Sequence, residues 1–185
     1  METLTKNLES VCKIITAQIP EFVVGEKFKH LSKDKNDLKL NLDKHFIRLV
    51  LEPMKDRRLS LNKSVELEKF KLTGEREMKR SEIQKELKGF GKYEIHVEIF
   101  MPILLSFLSI QPNGEEKDEG LIIAHSYRNC FTVNLLGGGN CDVVLTWDSK
   151  KKYWNLSVPA ISHDPAWLAG RAFFTLVEVL KFAKN

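Results

Sequence analysis

Residues 131–183 read FTVNLLGGGNCDVVLTWDSKKKYWNLSVPAISHDPAWLAGRAFFTLVEVLKFA, and they contain apolar runs separated by two turn signals. The glycines at 137–139 and the polar run DSKKK mark the turns. This pattern predicts a three-stranded antiparallel meander, followed by a helix from Pro165 to about Ala183 that covers one face of it. Asp164 before Pro165 favours such a helix, as N-cap and first helical residue.

The register of the second hairpin follows from its apolar residues. If residues 149–152 form the loop, three apolar pairs fall on one face, and a slip of one residue would separate all of them. The predicted pairs are Trp147 with Trp154, Leu145 with Leu156 and Val143 with Val158.

The first hairpin is expected to have a loop of three or five residues around the glycines. Either length sets Phe131 and Val133 on the apolar face of the meander, whereas a four-residue loop does not. Cys141 then faces the core and Cys130 the opposite side, so we expect no disulfide between them.

The rest of the chain shows both helical and strand periodicity. Apolar residues between Thr3 and Ile19 follow the 3.6-residue period and predict an N-terminal amphipathic helix. A charged helix with a thin apolar face is predicted from about Glu75 to Lys88. Alternation of apolar and polar residues predicts strands near 38–42, 47–51, 59–72 and 93–99.

Together these elements predict an α+β fold. It consists of an antiparallel sheet of about six to eight strands, with the N- and C-terminal helices packed on it and the charged helix at its periphery. The length of 185 residues favours a single domain over residues 1–185, with a possible charged subdomain at 26–92.

Composition indicates a soluble globular protein of a reducing compartment. The hydrophobic content is 43% with 29% charged residues, and the three cysteines are widely spaced. The first residues, METLTKNLES, lack the apolar segment of a signal peptide, and no apolar run has the roughly 20 residues that a membrane span needs. We therefore expect a cytoplasmic protein without a membrane partner.

The net charge of +4 is unevenly distributed. Residues 26–94 carry 19 Lys and Arg against 13 Asp and Glu, so the basic excess belongs to the middle of the chain. Acidic residues are interleaved with the basic ones, which is typical of a solvated surface. Binding of nucleic acid by the segment 27–92 remains an alternative, with possible phosphate contacts from Arg76, Lys79 and Arg80 on the charged helix.

Glu94, His96 and Glu98 alternate along a predicted strand and are candidate metal ligands. Side chains two residues apart on one strand face lie about 7 Å from each other, so a neighbouring strand would have to add ligands before these three could hold one ion. No Cys-x-x-Cys pair, Walker loop or dinucleotide fingerprint is present, and we expect no cofactor.

A thiol-dependent enzyme is a further alternative, with Cys130 as nucleophile and His125 as base. The order of a helix, antiparallel strands, a histidine and a cysteine resembles that of ubiquitin-conjugating enzymes. Ser126 follows His125 here, whereas the motif of that family has Pro-Asn. The resemblance gives the enzyme alternative one concrete form.

The predicted C-terminal helix carries large aromatic side chains on its polar side, which is typical of a second contact surface. The candidate partner-binding residues are Trp167, Arg171, Phe174 and Phe182. Since the chain lacks chemical motifs, the sequence favours a non-catalytic protein-interaction module. Such a module could be an adaptor, a chaperone-like subunit or an inhibitor, and its partner another protein or a second copy of the chain.

Overall fold

The protein is represented by a computed structural model. It describes residues 7–33, 40–74, 77–90, 92–115, 120–121, 128–159 and 166–177. The strands in these ranges are β1 Leu8–Ile15, β2 Ile19–Val23, β3 Leu40–Leu42, β4 Arg58–Leu61, β5 Glu66–Leu72, β6 Met78–Lys79, β7 Glu94–His96, β8 Asn129–Asn134, β9 Asn140–Asp148, β10 Tyr153–Ser157, β11 Ala166–Trp167 and β12 Ala172–Leu176.

Four helices accompany these strands in the described residues. They are α1 Val24–Lys33, α2 built from Lys44–Phe46, the π-helical turn Ile47–Leu51 and Glu52–Met54, α3 Arg80–Leu87, and α4 Val97–Ile110. None of these helices combines the length and the apolarity that crossing a bilayer requires.

An eight-stranded sheet organises the fold, and it is mixed. Seven strands follow the order β1-β5-β12-β8-β9-β10-β3, and β7 pairs with β8 beyond the end of β12. The pairs β3–β10, β8–β12 and β7–β8 are parallel, and the others are antiparallel. The prediction of a purely antiparallel α+β sheet is therefore wrong. The two short pairs β2–β4 and β6–β11 lie outside this sheet.

The meander is confirmed in its register. Trp154 pairs with Trp147 and Leu156 with Leu145, as their shared apolar face predicts. In the first hairpin Asn134 pairs with Asn140, which leaves a five-residue loop at 135–139, one of the two predicted lengths. Positive φ values of 87° at Gly138 and 76° at Gly139 explain why this loop needs glycine.

Both predicted terminal helices are wrong. Residues 8–15 form an edge strand, in which β-branched Val11, Ile14 and Ile15 fit better than in a helix. Residues 172–176 form a strand between β5 and β8 whose five side chains are all buried. A strand buried on both faces has a continuous apolar run without alternation, and this run resembles the wide apolar arc of a buried helix.

The strand predicted near 47–51 is also wrong, because this segment is part of α2. The carboxylate of Asp43 accepts hydrogen bonds from the backbone N–H groups of His45 and Phe46, at 2.7 and 2.8 Å. This N-cap starts a helix between the two segments predicted as strands.

The sheet buries a different apolar cluster on each face. On the first face α1, α2 and the almost wholly buried α4 pack over the strands, and this cluster contains Trp147, Trp154 and Cys141. On the second face α3, β6 and β11 cover a smaller cluster that contains Cys130 and Trp167. The predicted placement of the two cysteines on opposite faces is confirmed, and neither forms a disulfide.

Candidate functional site

A cluster of polar side chains lies on the second face of the sheet, where β7, β8 and β9 run side by side. Its members are connected to one another by hydrogen bonds or an ion pair. We call these residues the polar cluster: Arg80, Tyr93, Glu94, Thr132, Asn134, Asn140 and Asp142.

Arg80 is the first residue of α3 and joins this helix to β9. Its Nε lies 2.6 Å from Oδ2 of Asp142, and its Nη2 donates to Oδ1 of Asp142 and to Oδ1 of Asn140, at 3.1 and 3.0 Å. Thr132 Oγ1 donates a further hydrogen bond of 3.0 Å to Asp142. Burial raises the pKa of Asp142 more than Arg80 and Thr132 lower it.

This geometry changes the predicted phosphate contacts. Nε and Nη2 of Arg80 are engaged by Asp142 and Asn140, so the positive charge of this arginine is already balanced within the fold. The side chain of Lys79 is exposed, and its backbone N–H donates to Glu82 within the first turn of α3. Arg76 lies outside the described residues.

The carboxylate of Glu94 also accepts three hydrogen bonds within the polar cluster. It accepts from the hydroxyl of Tyr93 at 2.8 Å and from the amides of Asn134 and Asn140 at 3.3 and 3.2 Å. Burial, followed by the hydrogen bond to Glu94, raises the pKa of Tyr93. These contacts fix β7 against β8 and β9, and they involve both oxygen atoms of the carboxylate.

The predicted strand of candidate metal ligands ends at His96, and α4 begins at Val97. Glu98 is therefore on a helix. Its backbone N–H donates a hydrogen bond of 3.4 Å to Nδ1 of His96. Glu94, His96 and Glu98 do not form one line on a strand. Among the described residues no group of three or more His, Cys, Asp or Glu side chains could hold a metal ion.

Cys130 lacks the surroundings of a nucleophile. It is 3% exposed, and burial, with a smaller effect of the charge on Asp142, raises the pKa of its thiol far above the ordinary value of 9.0. Its Sγ donates a weak hydrogen bond to the carbonyl of Arg128. The thiol is thus protonated and inaccessible at neutral pH. His125, its predicted base, lies outside the described residues.

The predicted partner surface is dispersed by the two strands that replace the C-terminal helix. Trp167 is 3% exposed on the second face, and Phe174 is 1% exposed on the first, stacked on Phe131 with ring centroids 4.5 Å apart. Two side chains on opposite faces of a sheet cannot meet one partner surface. Arg171 is half-buried beside Trp167, and Phe182 lies outside the described residues.

The outer edge of β1 carries exposed apolar side chains, which were not predicted from the sequence. β1 is eight residues long, and within the described part of the chain only β5 pairs with it. Ile15 is 70% exposed and Val11 is 47% exposed, both on this strand. Val11 is also the extra residue of a β-bulge, because Ser10 pairs with Phe70 and Cys12 with Lys69.

An apolar cavity of about 230 Å³ lies a few residues beyond β1. Ile19 lines this cavity, and the chain from Ile15 to Ile19 spans at most about 14 Å. Its other lining residues are Pro20, Glu21, Phe22, Lys27, Leu31, Leu105 and Ser109.

Comparison with known proteins adds no assignment to this geometry. No protein-family model matches the chain, and neither a curated protein nor a solved structure shows significant similarity to it.

Proposed function

We propose that this chain is a non-catalytic protein-interaction module that binds an extended segment of a partner protein along the outer edge of β1. The proposal depends on one observation: the outer edge of a long strand that carries the exposed Ile15 pairs with no other strand of the described residues. In this mode of recognition the main chain of the partner adds a strand to the sheet, and side chains of the edge strand supply further contacts.

The hydrogen-bonding pattern of β1 defines which main-chain groups face outwards. The backbone N–H of Thr16 donates to the carbonyl of Val65 at 3.0 Å, so this pair is directed inwards. Main-chain groups alternate between the two sides of an antiparallel strand, and those of Lys13 and Ile15 therefore point away from β5. Two outward residues at this spacing are what an added strand requires.

The side chains support the same site. Exposed edge strands usually carry charges, prolines or bulges that prevent pairing with other chains. The bulge at Val11 interrupts the first half of β1, whereas Cys12–Ile15 pair regularly with β5 and end in an isoleucine that is 70% exposed. Burying Ile15 beneath a partner strand would stabilise a complex, and the cavity beside Ile19 could accept a large apolar side chain of the same partner.

Two further observations favour an interaction module over the alternatives. Both buried cysteines have raised thiol pKa values, which opposes thiol chemistry. Several basic residues of the middle segment are paired with acids, including Arg58 with Glu21 and Arg80 with Asp142. Such a mixed surface does not favour binding to nucleic acid, where a patch of one sign is needed.

The variant Ile15→Pro tests the proposal. Proline removes only the outward N–H of Ile15, so the pairing with β5 should survive, whereas an added strand loses a hydrogen bond. The control Ile15→Thr keeps the N–H and a β-branched side chain. Each full-length variant is immobilised as bait and incubated with extracts of the source cell, and the proteins that it retains are compared with those retained by the wild type. Light scattering measures whether each variant self-associates.

We expect a partner that is retained by the wild type and Ile15→Thr but lost with Ile15→Pro. Amide hydrogen exchange should then show Lys13 and Ile15 protected only when that partner is present. A dimer that disappears in Ile15→Pro would identify the partner as a second copy of the chain. Retained proteins and exchange rates that are the same for Ile15→Pro and the wild type would contradict the proposal.

A further inference from the structure

Two arginines lie next to each other on the second face of the sheet, where the parallel strands β8 and β12 begin. Ala172 pairs with Asn129, and the N–H of Ala172 donates to the carbonyl of Arg128 at 3.0 Å. Arg171 and Arg128 therefore occupy neighbouring positions one residue earlier. Because side chains alternate along a strand, both point to the face that carries Phe173 and Cys130.

The guanidinium of Arg171 lies on the indole of Trp167, with its Cζ 4.5 Å from the ring centroid. A cation–π contact of this kind holds the guanidinium in place without using its N–H groups as hydrogen-bond donors to a carboxylate. Burial lowers the pKa of Arg171, and the positive charge of Arg128 lowers it further.

Two donors at this point have no acceptor within the described residues. They are Nε of Arg171 and Nε1 of Trp167. The residue Trp167 is 3% exposed. A buried donor without a partner is rare in folded proteins, and an indole N–H can only donate. No carboxylate in the described ranges forms an ion pair with Arg171 or Arg128 to balance their charges, although Glu77 acts on Arg171 from a distance.

We propose that Arg128, Arg171 and Trp167 form a binding site for a phosphate group. A dianionic phosphate would balance the two positive charges, and its oxygen atoms would accept from both guanidinium groups, which suit phosphate geometry. The nearby indole N–H is a further donor to the same group. This site differs from the phosphate contacts predicted on α3, where Arg80 is engaged by Asp142.

The phosphate site does not depend on strand addition at β1. β5 and part of β12 separate the outer edge of β1 from Arg171 and Arg128. The variant Ile15→Pro should leave phosphate binding unchanged, and Arg171→Ala should leave the β1 edge unchanged. Failure of one proposal can thus be distinguished from failure of the other.

The test follows the indole N–H resonance of Trp167 in ¹⁵N-labelled full-length chain, assigned through Trp167→Phe. Inorganic phosphate, O-phosphoserine and acetate are titrated separately at pH 7.5 and constant ionic strength. The variants are Arg171→Ala and Arg128→Ala, and the control is Arg58→Ala, whose exposed side chain pairs with Glu21 elsewhere.

We expect inorganic phosphate to give a saturable shift at millimolar concentration, which acetate does not reproduce. Removing either arginine of the site should weaken binding by about tenfold or more, whereas Arg58→Ala should not change it. An equal effect of O-phosphoserine would identify the source as a phosphorylated residue, and its absence would identify free phosphate. The site is disproved if the resonance does not respond, if acetate acts equally, or if Arg58→Ala weakens binding as much as Arg128→Ala.

Discussion

Arg80 Nε lies 2.6 Å from Asp142 Oδ2, and this ion pair joins the first turn of α3 to the second face of the sheet. The two side chains are 25% and 12% exposed, so solvent screens them less than the surface pairs of this protein. The pair belongs to a network in which Thr132 and Asn140 complete the hydrogen bonding.

We expect Asp142→Ala to lower the free energy of unfolding by roughly 2–4 kcal/mol, because it removes the acceptor of Thr132 and leaves Arg80 only its hydrogen bond to Asn140 in a partly buried site. Urea denaturation gives this value. Glu21→Ala is the matched control, since its pair with Arg58 has side chains 63% and 70% exposed and should cost less than about 1 kcal/mol. The double variant Arg80→Ala/Asp142→Ala should lose less than the sum of the single losses, and strict additivity would mean that the pair is not coupled.

The buried thiols make stability depend on alkaline pH. Burial, and to a smaller extent the charge on Asp142, raises the pKa of Cys141 from 9.0 to about 11. The thiol of Cys141 therefore holds its proton more tightly in the folded state than in the unfolded state. The folded state keeps its full stability below pH 9 and loses stability as the pH rises towards 11, because the thiol ionises first in the unfolded chain. We expect Cys141 to account for about 2–3 kcal/mol of this loss. Urea denaturation at pH 8 and pH 11 should show a smaller decrease for Cys141→Ala, and equal decreases would refute this role.

Thiol reagents should distinguish Cys12 from the other two cysteines. Cys12 is half-buried on the edge strand, whereas Cys130 and Cys141 are 3% and 4% exposed. Ellman's reagent at pH 8 should therefore titrate at most one thiol in the native chain and all three in urea. Cys12→Ser should reduce the native value to zero. Rapid labelling of Cys130 in the native chain would instead favour the thiol-dependent alternative.

Gly114 cannot be replaced without moving Trp147. Its φ is +65°, and a Cβ at this position would lie 2.2 Å from two carbons of the indole ring. We expect Gly114→Ala to destabilise the fold by roughly 2–5 kcal/mol through overpacking and backbone strain. Gly137→Ala is the control, because a Cβ there meets nothing within 4 Å and should change stability by less than about 0.5 kcal/mol. Similar melting temperatures of the two variants would contradict this packing.

The elements that could be predicted from sequence are those whose pairing is local. The pairs of Trp147 with Trp154 and Leu145 with Leu156 follow from alternation across a four-residue loop, since any other register separates the apolar side chains. The tryptophan rings are 5.2 Å apart in the first-face core. They lie beneath the segment after α4, where the carbonyl of Gln111 accepts from Trp154 Nε1, and not beneath a C-terminal helix.

Elements that depend on distant residues could not be predicted in the same way. Phe174 is buried because β5 and β8 lie on either side of it, and neither neighbour is close to it in sequence. When these partner strands are not known, the apolar sequence FFTLV at 173–177 is as compatible with a buried helix as with a central strand. The position of β1 at the outer edge of the described sheet also depends on strand order, because the spacing of apolar residues along one strand does not show which strand lies outermost.

The candidate sites show the same limit. Arg80, Glu94, Cys130 and Arg171 were selected by residue type, and all four lie on the second face, but their roles follow from their neighbours. Asp142 forms an ion pair with Arg80, and the amides of Asn134 and Asn140 donate to Glu94. Burial raises the pKa of the Cys130 thiol. Among the described residues a carboxylate lies 2.6 Å from Nε of Arg80, whereas Nε of Arg171 is buried without an acceptor, and no sequence pattern indicates this difference.

The position of β12 has a consequence for synthesis on the ribosome. This strand is among the last described residues, yet it joins β1 and β5 from the first half of the chain to the strands β8, β9 and β10. Both halves must wait for residues 172–176 to leave the exit tunnel before they can share one sheet. A nascent chain stalled before residue 172 would therefore expose the edges of β5 and β8, and it should be a far better chaperone substrate than the released protein.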